Sequence, residues 1–250
     1  MPQCIRFDAR NSILVLGLLD GANAADAHAR VGLFDARIAG ELGRVIGTLH
    51  RSTFGEMNSV FRRELPWVLR PLGAGWQMSG RSRFLALFES DPAIARALAD
   101  LRAGWRVDTL IHGDARPENF LLCRSQDETA IFETKLVDWE LADFGDAAWD
   151  CANVMQFYWN QWALTGQPTP KSWSELASAL QAFWNAYEGR SSFCRVVPFT
   201  GARLIQTAYE QYASAGAWTP AVQTSARLAR LLLTETDEAL RGFEFAEHDG

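Results

Sequence analysis

The residues best suited to chemistry lie in one polar stretch, His112-Gly113-Asp114-Ala115-Arg116-Pro117-Glu118-Asn119, with Asp138 following the apolar segment Lys135-Leu136-Val137. Phosphoryl transfer to a hydroxyl requires a carboxylate that orients and deprotonates the acceptor, and oxygen ligands for the magnesium ions that bridge nucleotide phosphates. In this reading Asp114 is the base, and Asn119 and Asp138 bind Mg2+ beside ATP. His28, His50 and His248 have no partners at metal-ligand spacing and are assigned no chemistry. Cys4, Cys123, Cys151 and Cys194 are scattered without a C-x-x-C pair. They give neither a zinc spacing nor a disulfide framework, and read as reduced, mostly buried thiols of a cytoplasmic protein.

The elements that must position these residues are mostly helical. Thr109-Leu110-Ile111 reads as a short strand before the polar loop, Phe120-Leu121-Leu122 as an apolar segment after it, and Ala130 to Val137 as a further strand, a β-pair framing the loop. Upstream, Ile13 to Leu19 is a continuous apolar run that suits a buried strand. Ile38, Leu42, Val45, Ile46 and Leu49 recur at helical spacing between Ala36 and His50, and Gly40, Gly43 and Gly47 form a neighbouring stripe where another backbone can approach. Asp91-Pro92 caps and starts a helix with Ile94, Leu98 and Leu101. Thr53 to Ser90 shows no clear period. Helical pattern then fills Ala147 to Leu164, Ser172 to Tyr187, roughly Phe199 to Ser214, and Thr219 to Leu240, the last capped by Thr219 with Pro220 in its first turn. Trp149, Phe157, Tyr158, Trp159 and Trp162 crowd one helix and read as core, with a substrate-stacking wall as the alternative.

Composition narrows the functional classes. The 250 residues are 48% hydrophobic and 22% charged, a globular balance. Twenty-four basic residues against 30 acidic give a net charge of −6, so nucleic acid is not an expected partner. No apolar run is long enough to span a bilayer, and no membrane partner is expected. Arg6 and Arg10 before Ile13 to Leu19, and Ala22-Asn23-Ala24 after it, imitate a signal peptide, but Asp8 dilutes the basic region and the apolar core is minimal. The acids Glu235, Asp237, Glu238, Glu244, Glu247 and Asp249 read as a solvated end, with attraction of a cationic acceptor as the sharper alternative. Lysine is nearly absent: Lys135 and Lys171 are the only two, so 22 of the 24 basic residues are arginine.

Three short motifs in order carry a resemblance. His112-Gly113-Asp114 with Asn119, Val137-Asp138-Trp139-Glu140, and Gly145-Asp146-Ala147-Ala148-Trp149-Asp150 are similar to the aminoglycoside phosphotransferase and choline kinase type family, which has a protein-kinase-like fold. The resemblance implies that Asp114 is the catalytic base, that Asn119 and Asp138 bind magnesium, and that His112 and Asp150 brace the loop. Ala115-Arg116-Pro117-Glu118-Asn119 also resembles the loop of Ser/Thr protein kinases in which a lysine contacts the γ-phosphate; Arg116 takes that place and can act as a bidentate donor. The literal Asp143-Phe144-Gly145 is set aside in favour of Asp138, which directly follows its strand, and Asp143 is read as a surface acid. Leu65-Pro66-Trp67-Val68-Leu69 and Leu101-Arg102-Ala103-Gly104-Trp105-Arg106 are loosely similar to phosphotransferases that act on Ser or Thr of precursor peptides.

The expected fold is therefore α+β, mainly α: a kinase-like large lobe over residues 21–250, with the catalytic loop 112–119 on a small β-hairpin and the metal motif at 138–140, preceded by a tail and hinge-like strand over 1–20. Kinase-like enzymes also use a small lobe with a Gly-rich loop and a strand lysine. Both lysines follow the catalytic loop, and 12 residues before Ile13 cannot build such a lobe. Gly75-Trp76-Gln77-Met78-Ser79-Gly80-Arg81-Ser82 spaces two glycines and a serine like a P-loop, but lacks the preceding strand, and Arg81 and Arg83 read as solvated. The expected activity is transfer of the γ-phosphoryl group of ATP to a hydroxyl of a small molecule or of a peptide Ser/Thr, with the small lobe lost by truncation or supplied by a partner chain. The alternative is a catalytically inactive binding or scaffold protein. On this reading the chain by itself binds Mg-ATP weakly; calorimetry on the isolated protein measures this, and tight binding overturns it.

Overall fold

The computed structural model describes residues 2–56, 60–71, 80–124, 132–165 and 169–239. Residues 75–79 of the two-glycine segment and the acids Glu244, Glu247 and Asp249 lie outside them. The chain opens with β1 (Cys4–Asp8), β2 (Ile13–Leu16) and β3 (Gly21–Asn23), followed by α1 (Ala24–Val31) and α2 (Ala36–Thr53). A 3-10 turn at Trp67–Leu69 precedes α3 (Gly80–Glu89) and α4 (Pro92–Ala103). Short strands β4 (Thr109–Ile111), β5 (Phe120–Arg124), β6 (Phe132–Leu136) and β7 (Asp143–Gly145) come next. Helices α5 (Ala147–Leu164), α6 (Pro170–Tyr187), α7 (Phe193–Ala215), α8 (Pro220–Thr234) and α9 (Thr236–Ala239) complete it. The fold is mainly helical α+β, as the periodicity predicts. Within the two-glycine segment, Gly80 to Ser82 begin α3, with Arg81 and Arg83 exposed.

Helix α5 is the centre. Every residue from Ala147 to Asn160 is buried, so this helix has no solvent face over that length and must be enclosed by α6, α7 and α8. Trp149, Phe157, Tyr158 and Trp159 are core residues, and Trp162 is half-buried against Trp173. Packing therefore accounts for the aromatic crowd. The expected caps form: the Asp91 carboxylate accepts from the Ala93 N–H at 2.9 Å, and the Thr219 hydroxyl from the Val222 N–H at 3.3 Å. Helix α7 begins six residues before the expected Phe199, at Phe193, where Ser192 caps it, and Pro198 lies inside it.

The strands form three small sheets rather than the expected hairpin around the polar loop. β4 pairs antiparallel with β7, Thr109 opposite Gly145, while β5 pairs with β3 and β6. The loop at 112–119 thus joins two sheets, because β4 is only three residues long and takes its partner from beyond the β5–β6 hairpin. The strand expected at Ile13 to Leu19 exists as β2, but it is not buried: Ile13, Leu14, Val15 and Leu16 are 41 to 55% exposed and pair only with β1. An apolar run reports a surface that prefers cover, and no described element covers it here. Asp143 is likewise no simple surface acid. Its carboxylate accepts the backbone N–H groups of Arg63 and Glu64, each at 2.8 Å, and ties an upstream segment to β7.

The glycine stripe of α2 faces α6. A methyl at Gly43 would overlap the Phe183 carbonyl oxygen and one at Gly47 the Tyr187 carbonyl oxygen, whereas Gly40 makes ordinary contact. Gly47→Ala is therefore expected to separate the two helices and cost about 2 to 3 kcal/mol, read as a lowered urea midpoint. Gly40→Ala is expected to leave that midpoint unchanged or slightly raised.

Candidate active site

The loop geometry starts from Gly113, whose φ of +80° is in the left-handed region, and whose missing side chain lets the Leu141 carbonyl approach. Around it, the polar backbone groups converge on one buried acid. Asp150, in the first turn of α5 and fully buried, accepts from the N–H of His112 at 2.7 Å and of Gly113 at 2.9 Å. The His50 Nε2 stands 3.2 Å from the same carboxylate, and its Nδ1 is 2.9 Å from the Tyr187 hydroxyl. His50, assigned no chemistry from its spacing, is thus the side-chain donor to the acid that holds the loop. The burial of Tyr187 pushes its phenol well above the ordinary value, so it stays a neutral O–H donor to His50.

His112 links the two halves of the site. It is fully buried, its Nε2–H donates to the Val137 carbonyl at 2.8 Å, and its Nδ1 accepts from the Asp114 N–H at 3.3 Å. These two bonds define a neutral tautomer. Trp139 stacks edge-on at 4.8 Å. The Val137 N–H in turn donates to the Asn119 carbonyl at 2.9 Å, so the residue before Asp138 is bonded to both ends of the loop. Asp138 itself adopts φ 66° and ψ 58°, a left-handed conformation that an aspartate tolerates better than most residues.

Asp114, Arg116 and Asn119 are brought together. The Arg116 Nε donates to Asp114 Oδ2 at 3.0 Å, and the Asn119 amide donates to the Asp114 carbonyl at 2.8 Å and to Oδ2 at 3.4 Å. Burial works against the charge of Arg116, but Asp114, Glu210 and Glu118 outweigh it and the guanidinium is held above its usual range. Asp138 is not drawn into this cluster; its carboxylate is exposed and has no hydrogen bond or ion pair among the described residues. Since Asn119 spends its N–H donors on Asp114, its amide oxygen is its acceptor end. A carboxylate and an amide oxygen are hard ligands suited to Mg2+. Among the described residues no three His, Cys, Asp or Glu side chains converge as a metal site, and Cys4, Cys123, Cys151 and Cys194 are unpaired, the first and last exposed.

Two further features escaped the sequence reading. Arg203 of α7, fully buried, stands 3.5 Å from Asp114 Oδ1, and its Nε donates to Asn153 Oδ1 at 2.7 Å. A charged residue amid the apolar run from Phe199 to Ile205 was the available signal, because arginine is rarely fully buried unless paired. Two residues beyond Asn119, Leu121 lines an open groove of about 550 Å3 together with Asp20, Gly21, Ala22, Asn23, Asp26 and Arg30.

A loop between short strands is anchored on the first turn of a buried central helix and brings Asp114, Arg116 and Asn119 together. The chain belongs to the phosphotransferase enzyme family (APH), whose sequence profile matches residues 8–195. No curated protein matches its sequence. Its fold is similar to that of an amicoumacin kinase in complex with AMP-PNP, Ca2+ and Ami, with a TM-score of 0.57 and 13% identity over 89% of this chain and 65% of that one. It is also similar to a Plasmodium vivax ethanolamine kinase, with a TM-score of 0.54 and 10% identity over 95% of this chain and 68% of that one. A choline/ethanolamine kinase family protein from Mesorhizobium loti has a TM-score of 0.50 and 14% identity over 92% and 78% of the two chains. At these identities the likeness is one of fold, the protein-kinase-like fold. No helix among the described residues is long and apolar enough to cross a membrane.

The anchor makes a direct prediction. Asp150→Asn leaves a single amide oxygen acceptor, and an NH2 donor in place of the other oxygen, where two loop N–H groups and His50 now converge, and is expected to cost about 3 kcal/mol, measured by urea unfolding. An unchanged midpoint would show that the loop does not depend on this acid.

Proposed function

We propose that this protein transfers the γ-phosphoryl group of ATP to a hydroxyl of a small molecule, aminoglycoside-like or similar. The observation that carries this reading is the meeting of Asp114, Arg116 and Asn119 on a loop braced by Asp150 and His112. Asp114 accepts the proton of the acceptor hydroxyl as its oxygen attacks the γ-phosphorus and the bond to the β-phosphate oxygen breaks, releasing ADP. Arg116 offers two parallel donors to the phosphate oxygens. Asn119 and Asp138 would hold Mg2+, which when bound neutralises charge on those oxygens. The groove beside Leu121, apolar on the β5 side with Asp20, Asn23 and Asp26 along its wall, suits the nucleoside. The names of the structural neighbours, choline/ethanolamine, ethanolamine and amicoumacin kinases, favour small acceptors over a peptide Ser/Thr.

In this reading the described residues supply the catalytic loop, and a partner chain is the proposed source of the phosphate clamp. The exposed hairpin β1–β2, with Ile5, Phe7, Ile13 and Leu14 between 52 and 64% exposed, supports a further unit at this edge. The test is labelled-phosphate transfer from ATP to aminoglycoside, choline-like and Ser/Thr peptide acceptors, with wild type and Asp114→Asn, alone and with a co-expressed small-lobe partner. Wild type should label a small acceptor, and Asp114→Asn should lower the rate by about 10³-fold. Absence of transfer to every acceptor under both conditions would replace this reading with the binding or scaffold one.

A further inference from the structure

Four alternating charges close a ring at the base. Asp114 Oδ2 meets Arg116 Nη2 at 3.0 Å, Arg116 Nη1 meets Glu210 Oε2 at 3.9 Å, Glu210 Oε1 meets Arg203 Nη1 at 3.6 Å, and Arg203 Nη2 returns to Asp114 Oδ1 at 3.5 Å. The two arginines are not equivalent. The Arg203 side chain is 1% exposed and that of Arg116 36%. Arg203 is locked: its Nε donates to Asn153 at 2.7 Å and its Nη1 to the Thr207 hydroxyl at 3.2 Å, which itself donates to Gln156 Oε1 at 2.9 Å. Asn153 is fixed in turn, its amide donating to the Trp149 carbonyl, and the Trp149 indole donates to the Gly113 carbonyl at 3.0 Å. Arg203 is therefore tied to the catalytic loop through α5 as well as through Asp114. Arg116 is held by its contacts to Asp114 and, at longer range, Glu210.

One donor in this network is unused. Arg203 Nη2 is buried and makes no hydrogen bond, because the Asp114 carboxylate leans toward Arg116. A guanidinium taken wholly out of water normally has its donors satisfied. In this arrangement the missing bond is available once Arg116 lets go. We infer that Arg203 is the positioning residue of the base: it takes over the Asp114 carboxylate when Arg116 turns to the nucleotide phosphates, freeing Oδ2 for the acceptor hydroxyl. This rests on the phosphotransferase reading above. Without Arg203, the departure of Arg116 would leave Asp114 with no cation beside it and only the 3.4 Å donation from the Asn119 amide to orient it; with it, the exchange is a shift of partners inside one closed ring.

The inference separates the two arginines experimentally. In the full chain labelled with 15N-arginine, addition of Mg-AMP-PNP should move the Nε–H resonance of Arg116 and leave that of Arg203 in place. In the transfer assay, Arg203→Met should lower kcat by about 10²-fold with KM for ATP within about twofold, since a misplaced base slows the chemical step and not nucleotide binding. Arg203→Lys, which keeps the charge, should recover about a tenth of wild-type kcat or more, and Arg116→Met should raise KM for ATP by about tenfold or more, the loss of its paired charged donors. An Arg116 resonance that ignores nucleotide overturns the exchange. So does an Arg203→Met kcat near wild type, or an Arg203→Lys no better than Met. If Arg203→Met does not fold, the Lys variant and the resonances still decide. A wild type that shows the Arg116 response but labels no acceptor removes the phosphotransferase reading and leaves the exchange standing.

Discussion

The site depends on one buried carboxylate. Asp150 is fully buried, and the partners the fold supplies to its carboxylate are two backbone N–H groups of the loop and the imidazole of His50. The dependence runs both ways. The loop cannot sit elsewhere without stranding its own N–H groups, and the acid cannot remain buried without the loop. Because Asp150 lies in the first turn of α5, which packs against α2, α6, α7 and α8, the position of the loop is referred to the buried centre of the molecule.

From that anchor the order of construction is visible. His112 carries the constraint from the loop to Val137, and hence to Asp138, through a neutral ring whose two nitrogens have opposite duties. The Trp149 indole and Asn153 carry it to α7, where Arg203 waits. Arg116 and Asp138 both keep solvent exposure, whereas His112, Asn119, Asp150 and Arg203 are buried; in the proposed reaction the two exposed groups are the ones that meet phosphate and metal.

Much of this was legible in the sequence wherever the information was local. Helical spacing located α2, α5, α6 and α8, capping pairs located the starts of α4 and α8, and the ordered motifs placed the loop residues that meet at Asp114. What was illegible depended on partners far along the chain. β4 finds β7 across more than thirty residues, and nothing in Thr109-Leu110-Ile111 names that partner. His50 looks like one more residue at the end of an apolar helix until Asp150 is seen 100 residues away. Arg203 shows as an oddity in an apolar run, but its meaning comes from Asp114 and Glu210. The exposure of β2 is the opposite case: its composition reads as interior, and only the fold reveals that no described element covers it.

That uncovered hairpin gives the molecule two tiers of stability. Residues 147–160 of α5 can lose their backbone protection only when the whole domain opens, because their bonds are enclosed on every side. The β1–β2 bonds close on each other alone, and a lone two-stranded ribbon is marginal in water. Its amides will exchange with solvent through local opening, decoupled from the global unfolding that governs the core. Any unit that seats on the hairpin would merge the two tiers, so the slowing of exchange at Arg6 to Asp8 and Leu14 to Leu16 serves as a built-in reporter of whether that edge is occupied.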